Sequence, residues 1–127
     1  MRDFNWVGAR GACSAAKVFE ILKGEIERDI EIRNELRAEN PPYYKFCAQI
    51  EGENIVVIRE GNRIGSSVKF TVEGEKIIVL NTDRKKMLEA ALTINSEGEC
   101  KLKIGGEEYD SWHLRKLALE DLFFGDF

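Results

Sequence analysis

The chain has 127 residues, 43% of them apolar and 33% charged, with only two prolines. Lys and Arg total 19 against 23 Asp and Glu, giving a net charge of −4. That composition excludes intrinsic disorder, a collagen-like repeat and a transmembrane helix, and it fits one domain over 1–127, since domains most often run to ~100–150 residues. A chain of this size buries roughly two-thirds of its unfolded surface, enough for a core without metal or disulfide staples. The acidic balance also argues against nucleic acid, whose phosphates draw a basic excess.

The first signal along the chain is helical. No proline interrupts Ser14 to Glu39, and Val18, Leu22, Ile26 and Ile30 repeat every four residues. Phe19, Ile21 and Leu36 widen the stripe, while Lys23, Glu27, Glu31 and Glu35 take the other side. Ser14 reads as the N-cap and Asn40-Pro41-Pro42 as the stop, so the pattern predicts one helix over 15–39. At about 1.5 Å per residue it spans roughly 37 Å. Gly24 inside it is either a tolerated glycine or the mark of a bend or close contact. Before this helix, Phe4, Trp6 and Val7 are large apolar side chains that need a docking place.

After Pro42 the period becomes two. Tyr44, Phe46, Ala48 and Ile50 alternate with Tyr43, Lys45, Cys47 and Gln49, the pattern of a half-buried strand. Further strands are expected at Ile55–Arg59, Ser67–Glu73, Lys76–Asn81, Leu88–Asn95 and Cys100–Ile104, although Lys85–Leu92 also fits a short helix. Short turns between them predict a curled antiparallel meander of six strands over 43–105. Ile55-Val56-Val57-Ile58 and Ile77-Ile78-Val79-Leu80 are apolar on both faces, so both sides of the sheet centre need cover. The helices, curling of the sheet or a second subunit would each supply it. The last element, a helix capped by Asp110 or Ser111 and ended by Gly125, carries too broad an apolar arc for one-sided packing.

Glu-Gly-Glu recurs at 51–53, 73–75 and 97–99. Glycine supplies the positive φ of tight hairpin turns, and alternate turns of a meander share one end. Six glutamates are therefore expected at that end, as solvated tips rather than as a calcium site. The opposite end gathers Arg59, Arg63, Arg84, Lys85 and Lys86, with the start of the C-terminal helix expected beside them. This is the candidate anion-binding site, set against the neighbouring Glu60, Asp83, Glu107, Glu108 and Asp110.

Other constellations are sparse. Gly61-Asn62-Arg63-Ile64-Gly65-Ser66-Ser67 lacks the glycines and lysine of a phosphate-binding loop. His113, the only histidine, has no nucleophile marked beside it. Tyr43, Tyr44, Trp6 and Trp112 are as consistent with packing as with stacking on a ring ligand. Cys13, Cys47 and Cys100 make no metal-ligand spacing and read as lone, small hydrophobes in a reducing compartment. Gly11-Ala12-Cys13 has the outline of a lipoprotein cleavage site, but Arg2, Asp3 and Arg10 interrupt any apolar run, so a cytoplasmic setting is expected.

No catalytic, metal or cofactor motif is present, and enzyme activity is not the expectation. The fold expectation is α+β: a long N-terminal helix, a six-stranded antiparallel meander and a C-terminal helix. The functional expectation is a small non-catalytic binding domain acting as a homodimer, with a protein or small anionic ligand as further partner. Phe4, Trp6, Trp112, Leu119, Phe123 and Phe124 are the candidate interface. The rival is a small-molecule carrier or small enzyme with a pocket between the curled sheet and the N-terminal helix.

Overall fold

The computed structural model describes residues 3–40, 43–61 and 66–125. Two helices, α1 (Trp6–Ala12) and α2 (Ala15–Leu36), precede seven strands, and α3 (Ser111–Phe124) follows them. The strands are β1 (Lys45–Glu51), β2 (Asn54–Glu60), β3 (Ser67–Glu73), β4 (Lys76–Leu80), β5 (Lys86–Ile94), β6 (Cys100–Ile104) and β7 (Glu107–Tyr109). They pair in chain order, every pair antiparallel, as an uninterrupted meander. The α+β architecture is the expected one, and 86–92 belongs to strand β5 rather than to a helix.

Ser14 caps α2 by accepting the Lys17 backbone N–H at 3.3 Å. The buried stripe is Phe19, Leu22, Ile26, Ile30 and Arg33, while Ile21 is 65% exposed and does not belong to it. Helical geometry ends at Leu36 rather than Glu39; Arg33 and Asn34 are turned into bonds with the following chain, and 37–39 form turns. Gly24 has open space where a Cβ would stand, so it marks no close approach.

Both long helices cover one face of the sheet. There Phe19, Leu22, Ile26 and Ile30 meet Phe46, Ile55, Val57, Phe70, Ile77 and Val79, together with Leu114, Ala118, Leu119 and Leu122 from α3. On the other face Val56 and Ile78 are 1% and 2% exposed. Val56 lies between Gln49 and Lys69 in the register, and Ile78 between Thr71 and Glu89. Polar residues thus flank those two apolar side chains, whose burial is complete within one copy of the chain. β1 is an edge strand with Phe46 buried and Ile50 54% exposed, so its alternation is only partly used.

The seventh strand corrects the expected course of the chain. Gly105 and Gly106 both have positive φ, +59° and +86°, and form the two-residue turn that folds β7 back along β6. Leu102 pairs with Tyr109, so Asp110 returns to the end of β6 from which that strand began, and bonds Lys101. The start of α3 therefore lies toward the Glu-Gly-Glu end, not beside the basic turns. The Lys101 ammonium holds the Asp110 carboxyl below its ordinary range, and Asp110 in turn raises Lys101.

The cysteines require the second correction. Cys13 and Cys100 form a disulfide, with Cα atoms 5.5 Å apart and a sequence separation of 87, and Cys47 alone is free. Sequence spacing hides the pair, because the meander is what brings the start of β6 to the α1–α2 junction. Burial and the nearby Glu60 push the Cys47 thiol up. Helix α1 buries none of its residues, and Phe4 lies over the backbone of Gly98 in the β5–β6 turn.

Candidate functional site

Helix α3 is fixed beside α2 by polar contacts along their shared edge. Arg115 Nη1 donates to Asp29 Oδ2 at 2.7 Å, and Ser111 Oγ donates to Glu25 Oε1 at 2.6 Å. Arg115 Nη2 also stands 3.7 Å from Glu25 Oε2. Farther along, Arg33 is 2% exposed. Its Nε donates to the Phe123 carbonyl at 2.8 Å and its Nη2 to the Asn40 carbonyl at 3.0 Å. Those oxygens belong to the end of α3 and the chain beyond α2, where carbonyls lack intrahelical partners. The Arg33 guanidinium also lies 5.2 Å from the Phe46 ring centroid and 4.7 Å from that of Phe124. Burial pushes its pKa down from the ordinary arginine value.

Above these contacts the two helices leave a groove of about 340 Å³. Ile32 and Leu36 line its α2 side, and Trp112, Leu119, Phe123 and Phe124 its α3 side, with Asp29, Lys116 and Glu120 among the polar lining. Trp112 and Phe124, six residues to either side of Ala118, are 51% and 50% exposed, and Ile32 and Leu36 are 47% and 42% exposed. Contiguous exposed apolar side chains of this kind, rimmed by charge, mark interaction surfaces.

The structure sorts the candidate interface residues into two groups. Leu119 and Phe123 are 2% and 7% exposed and serve the core, Phe123 edge-on to Phe46 with centroids 4.9 Å apart. Trp112 and Phe124 stay half exposed on the groove, while Phe4 and Trp6 are 57% and 68% exposed at the opposite end of α2. The six residues do not form one patch.

Three of the described cations of the candidate anion site are engaged with other groups of the chain. Arg59 points to the core side of β2, where its Nη2 donates to Ser66 Oγ and its guanidinium lies 4.7 Å from the Tyr44 ring centroid. Arg84, with φ +63°, reaches Glu51 at 3.6 Å, and that carboxylate also holds Lys69. Lys86 reaches Glu89, lowering its pKa together with Lys76. Lys85 donates its backbone N–H to the Asn81 side chain. Arg63 lies outside the described residues. The meander does place Gly52, Gly74 and Gly98 in turns at one end, with φ of +65°, +61° and +80°. Their glutamates are partly engaged: Glu75 accepts the Ala15 N–H at the start of α2, and Glu99 stands 3.8 Å from Lys101.

His113 is packed rather than poised. Its ring stacks on Trp112 at 3.5 Å between centroids and meets Tyr109 edge-on at 5.7 Å, and its buried Nδ1 has no hydrogen-bond partner. Among the described residues no three His, Cys, Asp or Glu side chains are placed to hold a metal ion. No helix among them is long and apolar enough to cross a membrane.

Sequence reasoning missed Arg33 as the keystone of the groove floor. The signal was present: Arg33 follows Ile30 by three residues and so continues the buried stripe. No family model, curated protein or solved structure matches the chain.

Proposed function

We propose that the protein is a non-catalytic binding domain that acts as a homodimer, with the groove between α2 and α3 as its docking surface. One observation carries this reading: Trp112 and Phe124 remain half exposed at the two ends of a groove walled by Ile32 and Leu36. Covering four large apolar side chains favours association, and aromatic anchors are the side chains that most often dominate such contacts. The ion pairs and Arg33 beneath them hold the groove in one shape before any partner arrives, which lowers the ordering cost of binding.

The rival reading, a carrier or enzyme with a chamber between the sheet and the N-terminal helix, draws no support from that interior. Phe19, Leu22, Ile26 and Ile30 fill it against the sheet, each at most 6% exposed. The anion-binding reading is weakened where Arg84 and Lys86 already face carboxylates. As for setting, a cytoplasmic protein would hold Cys13 and Cys100 as thiols, whereas an oxidising compartment would keep their bond. Thiol trapping in cells followed by mass measurement distinguishes the two.

Sedimentation equilibrium tests the docking surface. The wild-type chain should dimerise at micromolar concentration, and a Trp112→Ala, Phe124→Ala double variant should be monomeric with its circular dichroism unchanged. A wild-type monomer at high micromolar concentration overturns the proposal.

A further inference from the structure

Resting on the homodimer reading, the charge order of α3 specifies how a second copy would sit. Trp112, Lys116, Glu120 and Phe124 are all exposed and follow one another at intervals of four, forming a single ridge on the helix surface. The ridge is complementary to its own reverse. Counting outward from Ala118, Lys116 and Glu120 stand two residues to either side, and Trp112 and Phe124 six. Leu117, 48% exposed, lies next to that midpoint.

We infer that two copies of the chain associate through α3 about a two-fold axis level with Ala118, the helices crossing antiparallel. In that arrangement Trp112 of each copy lies against Phe124 of the other, and Lys116 of each faces Glu120 of the other. Every contact occurs twice, as an isologous interface requires. Ridges of this four-residue kind pack into the facing grooves at about −50°, and over the ~18 Å between Trp112 and Phe124 the long aromatic side chains at the two helix ends reach across the diverging backbones. Aromatic contacts at the ends supply the apolar burial, and the charges at the centre set direction. A parallel pairing would put lysine on lysine and glutamate on glutamate, so the same sequence disfavours it.

Within one chain Lys116 Nζ already stands 3.2 Å from Glu120 Oε2. Dimerisation by this geometry therefore exchanges an intrahelical pair for an alternating cluster of two lysines and two glutamates across the axis. Neither side chain is part of the core, so both can be reversed without removing any buried contact.

The test uses the full chain in sedimentation equilibrium, with Lys116→Glu, Glu120→Lys and the double exchange carrying both. Each single reversal places like charges across the axis and should weaken the dimer roughly tenfold. The double exchange restores opposite charges in the reverse order and should recover wild-type affinity. A dimer whose affinity is unchanged by either single reversal overturns this geometry while leaving the groove as a docking surface. Single reversals that weaken the dimer without recovery in the double variant overturn it too. A monomeric wild type overturns both readings together.

Discussion

The two ends of α2 are fastened by different chemistry. At its start, Cys13 is bonded to Cys100 of β6 and the Ala15 N–H is held by Glu75 from the β3–β4 turn. At its far end, Arg33 gathers the carbonyls of Phe123 and Asn40, and Asn34 exchanges two hydrogen bonds of 2.8 Å with the backbone of Phe46. The first fastening is covalent and persists when the chain unfolds. The second exists only when α2, α3 and β1 are already together. A covalent link therefore works partly by restricting the unfolded chain, whereas the buried arginine is felt entirely in the folded one. The contrast continues outward: beyond the covalent end lies α1, with no buried residue, and beyond the polar end lies the groove.

The largest effect expected from breaking this contrast is loss of the covalent end. With a sequence separation of 87 between its cysteines, the bond should contribute about 4.6 kcal/mol by loop-closure entropy, so Cys100→Ser should lower the unfolding free energy measured in urea by that amount without unfolding the native sheet. A change under about 1 kcal/mol would assign the stability of that end to packing instead. Next comes the polar end. Arg33→Leu puts an apolar side chain at this position of the stripe but strands two carbonyls, and should cost about 3 kcal/mol in chemical denaturation. It should also loosen the groove, measured as faster amide exchange around Phe123, a change that Cys100→Ser should not produce. The smallest effect is at the middle of the helix, where neither fastening acts. Gly24→Ala meets nothing within 4 Å and should stabilise the protein by about 1 kcal/mol through helix propensity alone. A destabilised Gly24→Ala would show that the helix centre is strained between its two ends.

Much of the fold was legible because it rests on local patterns. The long helix, the positions of β1 to β6 and the turn glycines follow from period and from the need for positive φ. The final hairpin escaped because β7 is only three residues, Glu107–Tyr109, too short to show alternation. Its signal is the Gly105-Gly106 pair, whose two positive φ values make a two-residue hairpin turn. The disulfide was illegible for a different reason. Pairing of Cys13 with Cys100 is a property of the assembled meander, and nothing near either residue announces it. The groove was half legible: the breadth of the α3 arc pointed to more contacts than one sheet face offers. Which of its aromatics turn inward depends on α2 lying alongside, and only the folded chain places Leu119 and Phe123 below Trp112 and Phe124.

The Cys13–Cys100 bond also changes what the chain is as an object. Oxidised, residues 13–100 form a covalent ring that contains α2 and the first five strands, and from which α1 and α3 emerge as tails. A protease that severs one peptide bond inside the ring adds a water and releases nothing. The two fragments part only when a reductant opens the bond, so damage to the ring stays silent until the redox state changes. A cut in the tail carrying α3 leaves no covalent tie, so only the packing of Leu114, Leu119 and Leu122 and the contacts with α2 then hold the helix ridge to the rest of the molecule.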